Sequence, residues 1–337
     1  MHIDDLIIVG AGPAGLATSI AALRTGLEFR IFEKGLLVNS VYHFPTNMVF
    51  FTTPELLEIG DLPFVTPYEK PTRAEALRYY RRVTDTFGIQ ICFDREVTAI
   101  SRDRVEGEDV FAVGTRSPRG EMASDRSRTV VLAIGAYDYP NLLHVPGEDL
   151  PHVSHYYTEA HAYYRKRVVI VGGKNSAAEA ALELHRSGAH VTIVHRRAQL
   201  SDSIKYWVRP DMENRIKAGS VAARFSTRLV EITPVAVLLE SSAGREWVPA
   251  DAVLLLTGYR ADLALLERAG IRLDPITSVP AHDPDTLETN VSGLFLAGAV
   301  VAGVHSGQIF IENGRFHGEL VVKQICERLK AGLARRS

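Results

Sequence analysis

Ten residues near the start, LIIVGAGPAG at 6–15, limit the possible folds of this chain more than any other stretch. The apolar run Leu6 to Val9 reads as a buried parallel strand. Gly10, Gly12 and Gly15 follow in G-x-G-x-x-G spacing, with Pro13 and Ala14 between the last two. Leu16, Ile20 and Leu23 then fall on one helical face. A second strand, Phe29 to Phe32, ends in Glu33, 18 residues beyond Gly15, and Lys34 comes next. Each part has a mechanical reason. Gly10 permits the tight turn, Gly12 lets a pyrophosphate approach the backbone, and Gly15 lets helix and strand pack closely. The helix N-terminus attracts phosphate through its free N–H groups and dipole. Glu33 can accept hydrogen bonds from ribose hydroxyls. A lone glycine triplet is a weak signal, but strand, turn, helix, strand and acid in register are a strong one.

A second copy begins at Val168, in VVIVGGKNSAAEAALELHRSGAHVTIVHRR. Gly172 takes the first glycine position, Lys174 the second and Ala177 the third, with Gly173, Asn175 and Ser176 completing the turn. His195 stands 18 residues after Ala177, where the ribose acid is expected, and Arg196 and Arg197 follow it. Loss of the acid plus two arginines suits a 2′-phosphate, hence NADPH over NADH. The alternative is a solvated strand end. Lys174 departs from the glycine rule; its ammonium could contact a phosphate or point to water. Gly10 and Gly172 lie 162 residues apart, which leaves room for a complete first domain. One site with an acid and one with arginines imply two nucleotides, FAD in the first and NADPH in the second.

Composition removes several other classes. The chain has 337 residues, 46% of them apolar, enough for two cores. A formal charge of −2 argues against a nucleic-acid or anionic-membrane binder. Cys92 and Cys326 are the two cysteines, so no metal site or vicinal dithiol is readable from spacing. Two cysteines fit a reducing cytoplasm. Asp4 and Asp5 precede the first apolar run, unlike the basic start of a secretory signal. The longest apolar stretch, Leu294 to Val304, is too short for a bilayer.

The whole arrangement resembles the two-dinucleotide-binding flavoprotein superfamily, and within it the low-molecular-weight thioredoxin reductases. VVLAIGAYDYP (130–140) is similar to the segment that crosses to the second domain, and AVLLLTGYRAD (252–262) to the returning one. TNVSGLFLAGAV (289–300) resembles the last flavin motif, in which Gly-Asp ends the strand; here Gly298 is followed by Ala299. The resemblance implies an α/β fold of two Rossmann-like dinucleotide-binding domains, the NADPH domain (143–257) inserted in a FAD domain split into 1–142 and 258–337. It also implies flavin contacts at Val97, Gly135, Gly298, Gln308 and Ile309, and an NADPH contact at Gly258. Helical periodicity resumes at Ile309, and by resemblance its N-terminal end points at the flavin, where it would stabilise the anionic reduced form. In thioredoxin reductases a CxxC precedes the second fingerprint; here His155 and Thr158 stand in those two positions. Reduction through an internal dithiol is excluded.

A closer resemblance is to the bacillithiol disulfide reductase family. It is carried by VYHFPTNMVFFTTPELLEIGDLPF (41–64), GGKNSAAEAALEL (172–184), SIKYWVRPDMENRI (203–216), TLETNVSGLFLAG (286–298) and IFIENGRFHG (309–318). It implies an NADPH-dependent, FAD-containing reductase of a small-molecule thiol disulfide, forming a homodimer or higher homo-oligomer. Some members carry a cysteine in the first glycine motif, where this chain has Ala14.

The sequence offers several candidates around the flavin. Phe50 and Phe51 could flank the ring or be core aromatics. His43 could protonate a leaving thiolate, or be a structural histidine. His155 with Tyr156 could act as an acid pair, or shape a domain surface. Cys92 and Cys326 read as buried inert thiols. Lys205, Tyr206 and Arg209 could bind an acidic substrate or the nicotinamide nucleotide, or form a solvated face. Three other functions compete: a ferredoxin or flavodoxin–NADP reductase, a small flavin monooxygenase, and a non-enzymatic NADPH-sensing flavoprotein.

Overall fold

The computed structural model describes residues 2–334 and divides the chain into two compact units, Met1–Tyr139 with Tyr259–Ser337, and Pro140–Gly258. The expected limits of the inserted domain were 143 and 257. Asn141 moves into the inserted unit because its N–H donates to the Gly258 carbonyl at 2.9 Å.

In the first unit, β1 (Asp4–Val9) leads into α1 (Pro13–Thr25) and β2 (Phe29–Phe32). Leu6, Ile7 and Ile8 are fully buried, as a strand covered on both faces must be. Next come α2 (Asn39–Tyr42), α3 (Arg73–Phe87), β3 (Ile91–Cys92), β4 (Glu96–Val105), β5 (Glu108–Arg116) and β6 (Met122–Leu132). A capping box starts α3, the Thr72 side chain accepting from the Glu75 N–H while Glu75 reaches back to Thr72. A short β7 (Tyr139–Pro140) then carries the chain out of this unit.

The second unit holds β8 (Val153–Ser154), β9 (Arg167–Val171), α4 (Asn175–Arg186), β10 (His190–Val194), α5 (Arg209–Lys217), β11 (Ala222–Arg224), β12 (Arg228–Ile232), β13 (Ala236–Ser241), β14 (Gly244–Pro249) and β15 (Ala252–Leu255). Its parallel sheet has the order β11-β10-β9-β15-β8. The two-residue period of strands divides its apolar residues between two cores. Val168, Ile170, Val191, Ile193 and Leu254 pack with α4 and α5, among them Ala181, Leu184 and Met212. Val169, Val194, Val253 and Leu255 face the antiparallel sheet β12-β13-β14, against Leu229, Ile232, Val237 and Leu239.

The chain returns through β16 (Tyr259–Arg260), α6 (Leu263–Arg268) and β17 (Leu294–Leu296), which completes the first sheet beside β6. That sheet runs β3-β2-β1-β6-β5-β4, with β17 on β6. The helix expected from Ile309 is two pieces, α7 (Ile311–Gly314) and α8 (His317–Ala334). Arg315 stands at the break, its Nη1 donating to the carbonyls of Glu55 and Glu58 at 2.7 Å each. Gly318 then lets α8 lie against α1, since a Cβ there would come within 2.5 Å of the Thr18 nitrogen. The fold is the expected one, two Rossmann-like α/β units with one inserted in the other.

Candidate functional site

The three glycines of the first fingerprint have different reasons to be glycine. Gly10 has φ +104°, and a Cβ there would sit 2.5 Å from the Ala133 carbonyl oxygen. At Gly15 a Cβ would fall 1.9 Å from the Gly10 carbonyl oxygen, so helix and turn meet backbone to backbone. Gly12 has ordinary backbone angles (φ −75°), and no protein atom lies within 4 Å of its added Cβ. Neither fold nor backbone requires glycine at 12. A group brought to that backbone from outside would require it, as a dinucleotide pyrophosphate does.

Glu33 closes the turn. Its Oε2 accepts from the Ala11 N–H and its Oε1 from the Gly35 N–H, both at 2.8 Å. Burial raises its pKa, and these two amides oppose the rise. Each oxygen keeps a second acceptor direction, which a ribose hydroxyl can use. The ammonium of Lys34, the next FAD candidate, lies 2.7 Å from Asp138. Burial works against that charge, but the Asp138 contact lifts its pKa above the ordinary lysine value. Val97 is buried on β4, and Gly135 has φ +65° just after β6.

Gly298, after β17, has φ +77°, and a Cβ there would approach Ala14 Cβ to 2.8 Å. Its N–H donates to His317 Nδ1 at 3.1 Å, which fixes a neutral His317 with its proton on Nε2. Burial, then His282, lowers the His317 pKa and favours that form. Residues 298–308 wind as 3-10 turns with a kink at Gly303. Gln308 and Ile309 follow the kink, the Gln308 carbonyl accepting from Asn313 Nδ2 at 2.8 Å. Because α7 is a single turn, the helix terminus expected to face the flavin carries a much reduced dipole.

In the second fingerprint, Gly172 is required by the Leu256 carbonyl, 2.7 Å from its added Cβ. Gly173 is required by His195, whose imidazole lies over it and would meet a Cβ at 2.4 Å. His195 is thus folded onto the turn. Burial, then Arg197 and Arg196, lowers its pKa. Lys174 is the N-cap of α4 with φ −113°, so its backbone has no need of glycine, and its side chain is exposed. No side chain caps α4, and its first turn holds no acid. Ala177, nearly fully buried, takes the third position, and Ser176 is exposed beside it. Gly258, φ +94°, ends the unit against Asn141. Arg196 and Arg197 are exposed. Neither they nor Lys174 forms an ion pair among the described residues. Three cations at the carboxyl end of β10 and the start of α4 suit a phosphorylated ligand.

His43, in the first unit, is exposed, and its Nδ1–H donates to the Asn39 carbonyl at 2.9 Å, which leaves Nε2 as the acceptor nitrogen of the neutral ring. His155, in the second unit, has a side chain only 15% exposed and lies 3.6 Å from Glu148. Phe50 is a core residue, edge-on to Phe44, and Phe51 is half-buried. Cys92 and Cys326 are both free and partly buried. The sequence spacing offered no metal ligands, but folding brings His2, Asp4 and Glu28 together with ligand atoms within 4.8 Å. Asp4 is already held there by Arg30 at 2.6 Å. Among the described residues no helix is long and apolar enough to cross a membrane.

Two features escaped sequence reading. Arg209 is spent in ion pairs with Asp202 (2.7 Å) and Glu213 (2.6 Å), which its i,i+4 spacing to Glu213 could have signalled. The segment 201–205 is bonded to the second fingerprint turn, which no local pattern announces.

The profile described as pyridine nucleotide-disulphide oxidoreductase matches residues 7–298. Among curated relatives, a Bacilliredoxin reductase Bdr from Bacillus subtilis is 40% identical over 96% of this chain and 98% of its own. Among solved structures, a bacillithiol disulfide reductase Bdr from Bacillus cereus superposes with a TM-score of 0.93 at 38% identity, covering 97% of this chain and 100% of the other. A second, from Staphylococcus aureus, gives 0.91 at 35% identity, covering 97% and 99%.

Proposed function

This chain belongs to the pyridine nucleotide-disulphide oxidoreductase family, and from that premise we propose that it transfers electrons from NADPH through FAD to the disulfide of a low-molecular-weight thiol such as bacillithiol. It is an oxidoreductase, and the family works with a flavin and a pyridine nucleotide. The observation that carries the substrate is the likeness to two solved structures titled bacillithiol disulfide reductase, over nearly the whole of both chains, in a protein with no CxxC of its own. Bound flavin supplies a two-electron relay from nicotinamide to acceptor.

The rest belongs to this chain's residues. The Gly10–Gly15 turn and the α1 N-terminus would hold the FAD pyrophosphate, and Glu33 would accept from its ribose. Lys174, with the uncapped first turn of α4, would hold the NADPH pyrophosphate, and Arg196 and Arg197 the 2′-phosphate. The reaction consumes NADPH, one proton and the disulfide, and yields NADP+ and two thiols. His43 would deliver a proton, from Nε2, to the leaving thiolate. His155 serves its own unit through Glu148. Ala14 leaves no thiol in the glycine motif, so the disulfide would take its electrons without a protein disulfide at that turn.

The test is anaerobic stopped-flow. Protein reduced by one equivalent of NADPH is mixed with bacillithiol disulfide. Flavin reoxidation within the turnover time is the expected result. Reoxidation by ferredoxin but not by the disulfide would move this chain to the ferredoxin–NADP reductases.

A further inference from the structure

Between β10 and α5 the chain runs as a strap whose inward and outward residues alternate in a regular way. Leu200, Ile204 and Val208 are buried at a spacing of four and anchor it in the core of the second unit. Between them Ser201 and Lys205 are half-buried and Asp202, Ser203, Tyr206 and Trp207 are exposed, Tyr206 at 83% and Trp207 at 44%. Two large aromatics side by side in water are costly unless something covers them at work. Their rings meet edge to face at 4.8 Å, and the Lys205 ammonium lies 5.3 Å from the Trp207 ring.

The strap is bonded to the second fingerprint turn. The Ser201 N–H donates to the Gly173 carbonyl at 2.9 Å. The Lys205 N–H donates to Asn175 Oδ1 at 2.9 Å, and Asn175 Nδ2 donates to the Ser203 carbonyl at 3.1 Å. Asn175 is the first residue of α4, one past the Lys174 N-cap, so its amide is not engaged in capping the helix. Here its whole amide serves the strap, and the N–H groups of the first turn of α4 are left uncapped for an anion. Arg209 stiffens the far end through Asp202 and Glu213. Lys205 reaches back towards the second turn of α4, where it is the cation that opposes the effect of burial on Glu179.

We propose that this strap is a wall of the pyridine-nucleotide site, in which Asn175 is a positioning residue and Lys205, Tyr206 and Trp207 are contacts for the bound dinucleotide phosphate. The inference rests on the assignment of the second fingerprint to NADPH and deepens it. The aromatic pair offers a flat face to a ring of the dinucleotide, and the lysine offers a cation beside the phosphate-binding turn.

The experiment uses the flavin-loaded full chain carrying Trp247→Phe, which leaves Trp207 as its single tryptophan. NADP+ is titrated with emission at Trp207 and calorimetry read in parallel. A saturable change in Trp207 emission, with the calorimetric Kd, is expected. Asn175→Ala should raise that Kd about tenfold, because a strap no longer held in place must be ordered on binding, and should raise KM for NADPH more than it lowers kcat. Tyr206→Ala, at a position too exposed to threaten folding, should raise the Kd about fivefold. Calorimetric binding that is abolished by Arg196→Ala with Arg197→Ala, but leaves Trp207 silent and Asn175→Ala and Tyr206→Ala at the parent Kd, overturns the strap and spares the nucleotide site. No binding of NADP+ at all by the parent overturns the site assignment and the strap with it.

Discussion

Glu179 lies on α4, where burial pushes its carboxyl up to about 7 and the Lys205 charge opposes the shift. Its Oε1 has no hydrogen-bond partner among the described residues. The ordinary carboxyl value is 4.5, so the folded chain holds this proton more tightly than the unfolded one. Below the ordinary value both states are protonated, and the stabilisation from the neutral carboxyl is fully present. As pH rises from there through about 7 the unfolded chain ionises first and that stabilisation is lost. His195 and His317 act with the opposite sign. Their pKa values are lowered by burial, so their contribution is present above the ordinary 6.5 and lost as pH falls below it. Glu179→Gln leaves both histidines in place, so the difference between variant and parent isolates the carboxyl. At pH 8 the variant should be the more stable by up to roughly 3 kcal/mol in urea unfolding, and the advantage should vanish below about pH 4. A difference that does not change with pH would mean that Glu179 titrates normally.

The two strand–turn–helix elements show how one pattern of glycines serves two kinds of constraint. Gly10 and Gly15 are demanded by neighbouring backbone, at 2.5 and 1.9 Å from their added Cβ atoms, whereas Gly12 meets nothing. Gly12→Asp should therefore fold and yet lose its flavin, because the carboxylate would occupy and repel the pyrophosphate's approach. The protein should purify colourless, with parental far-ultraviolet circular dichroism. A yellow variant with parental flavin content would rule out Gly12 as the approach point. These elements were legible because their rules are local: apolar runs for β1 and β9, glycine spacing for the turns, and an acid or arginines at the next strand end. What was not legible depends on contacts far along the chain. The break between α7 and α8 reflects Arg315 reaching the carbonyls of Glu55 and Glu58. Lys34, a FAD candidate beside Glu33 in the sequence, is set by folding against Asp138, a partner far along the chain. Asn175 looked like part of a phosphate turn until the strap from 201 onwards took both ends of its amide. Lys174 was the reverse case, a broken rule in the sequence that an extended N-cap backbone accommodates without strain.

An inserted unit must begin and end at nearly the same place, and this one does. The Asn141 N–H donates to the Gly258 carbonyl at 2.9 Å, and the Thr257 hydroxyl donates to the Asn141 carbonyl at 2.7 Å. Between those ends lie two apolar cores built on opposite faces of one parallel sheet, both wholly within 140–258. A segment with adjacent termini and its own core has what independent folding requires. Residues 140–258 expressed alone should unfold in one cooperative step. The cations at 174, 196 and 197 and the strap belong to that same segment, so nucleotide recognition should travel with it. NADP+ at about a hundred times its Kd should stabilise the piece by about 2.7 kcal/mol, read as a rise in its thermal midpoint. A piece that folds but is not stabilised by NADP+ would mean that the second fingerprint alone does not make the nucleotide site. The unit would then need the rest of the chain to bind its nucleotide, and the arginine pair would have to be read as a solvated strand end.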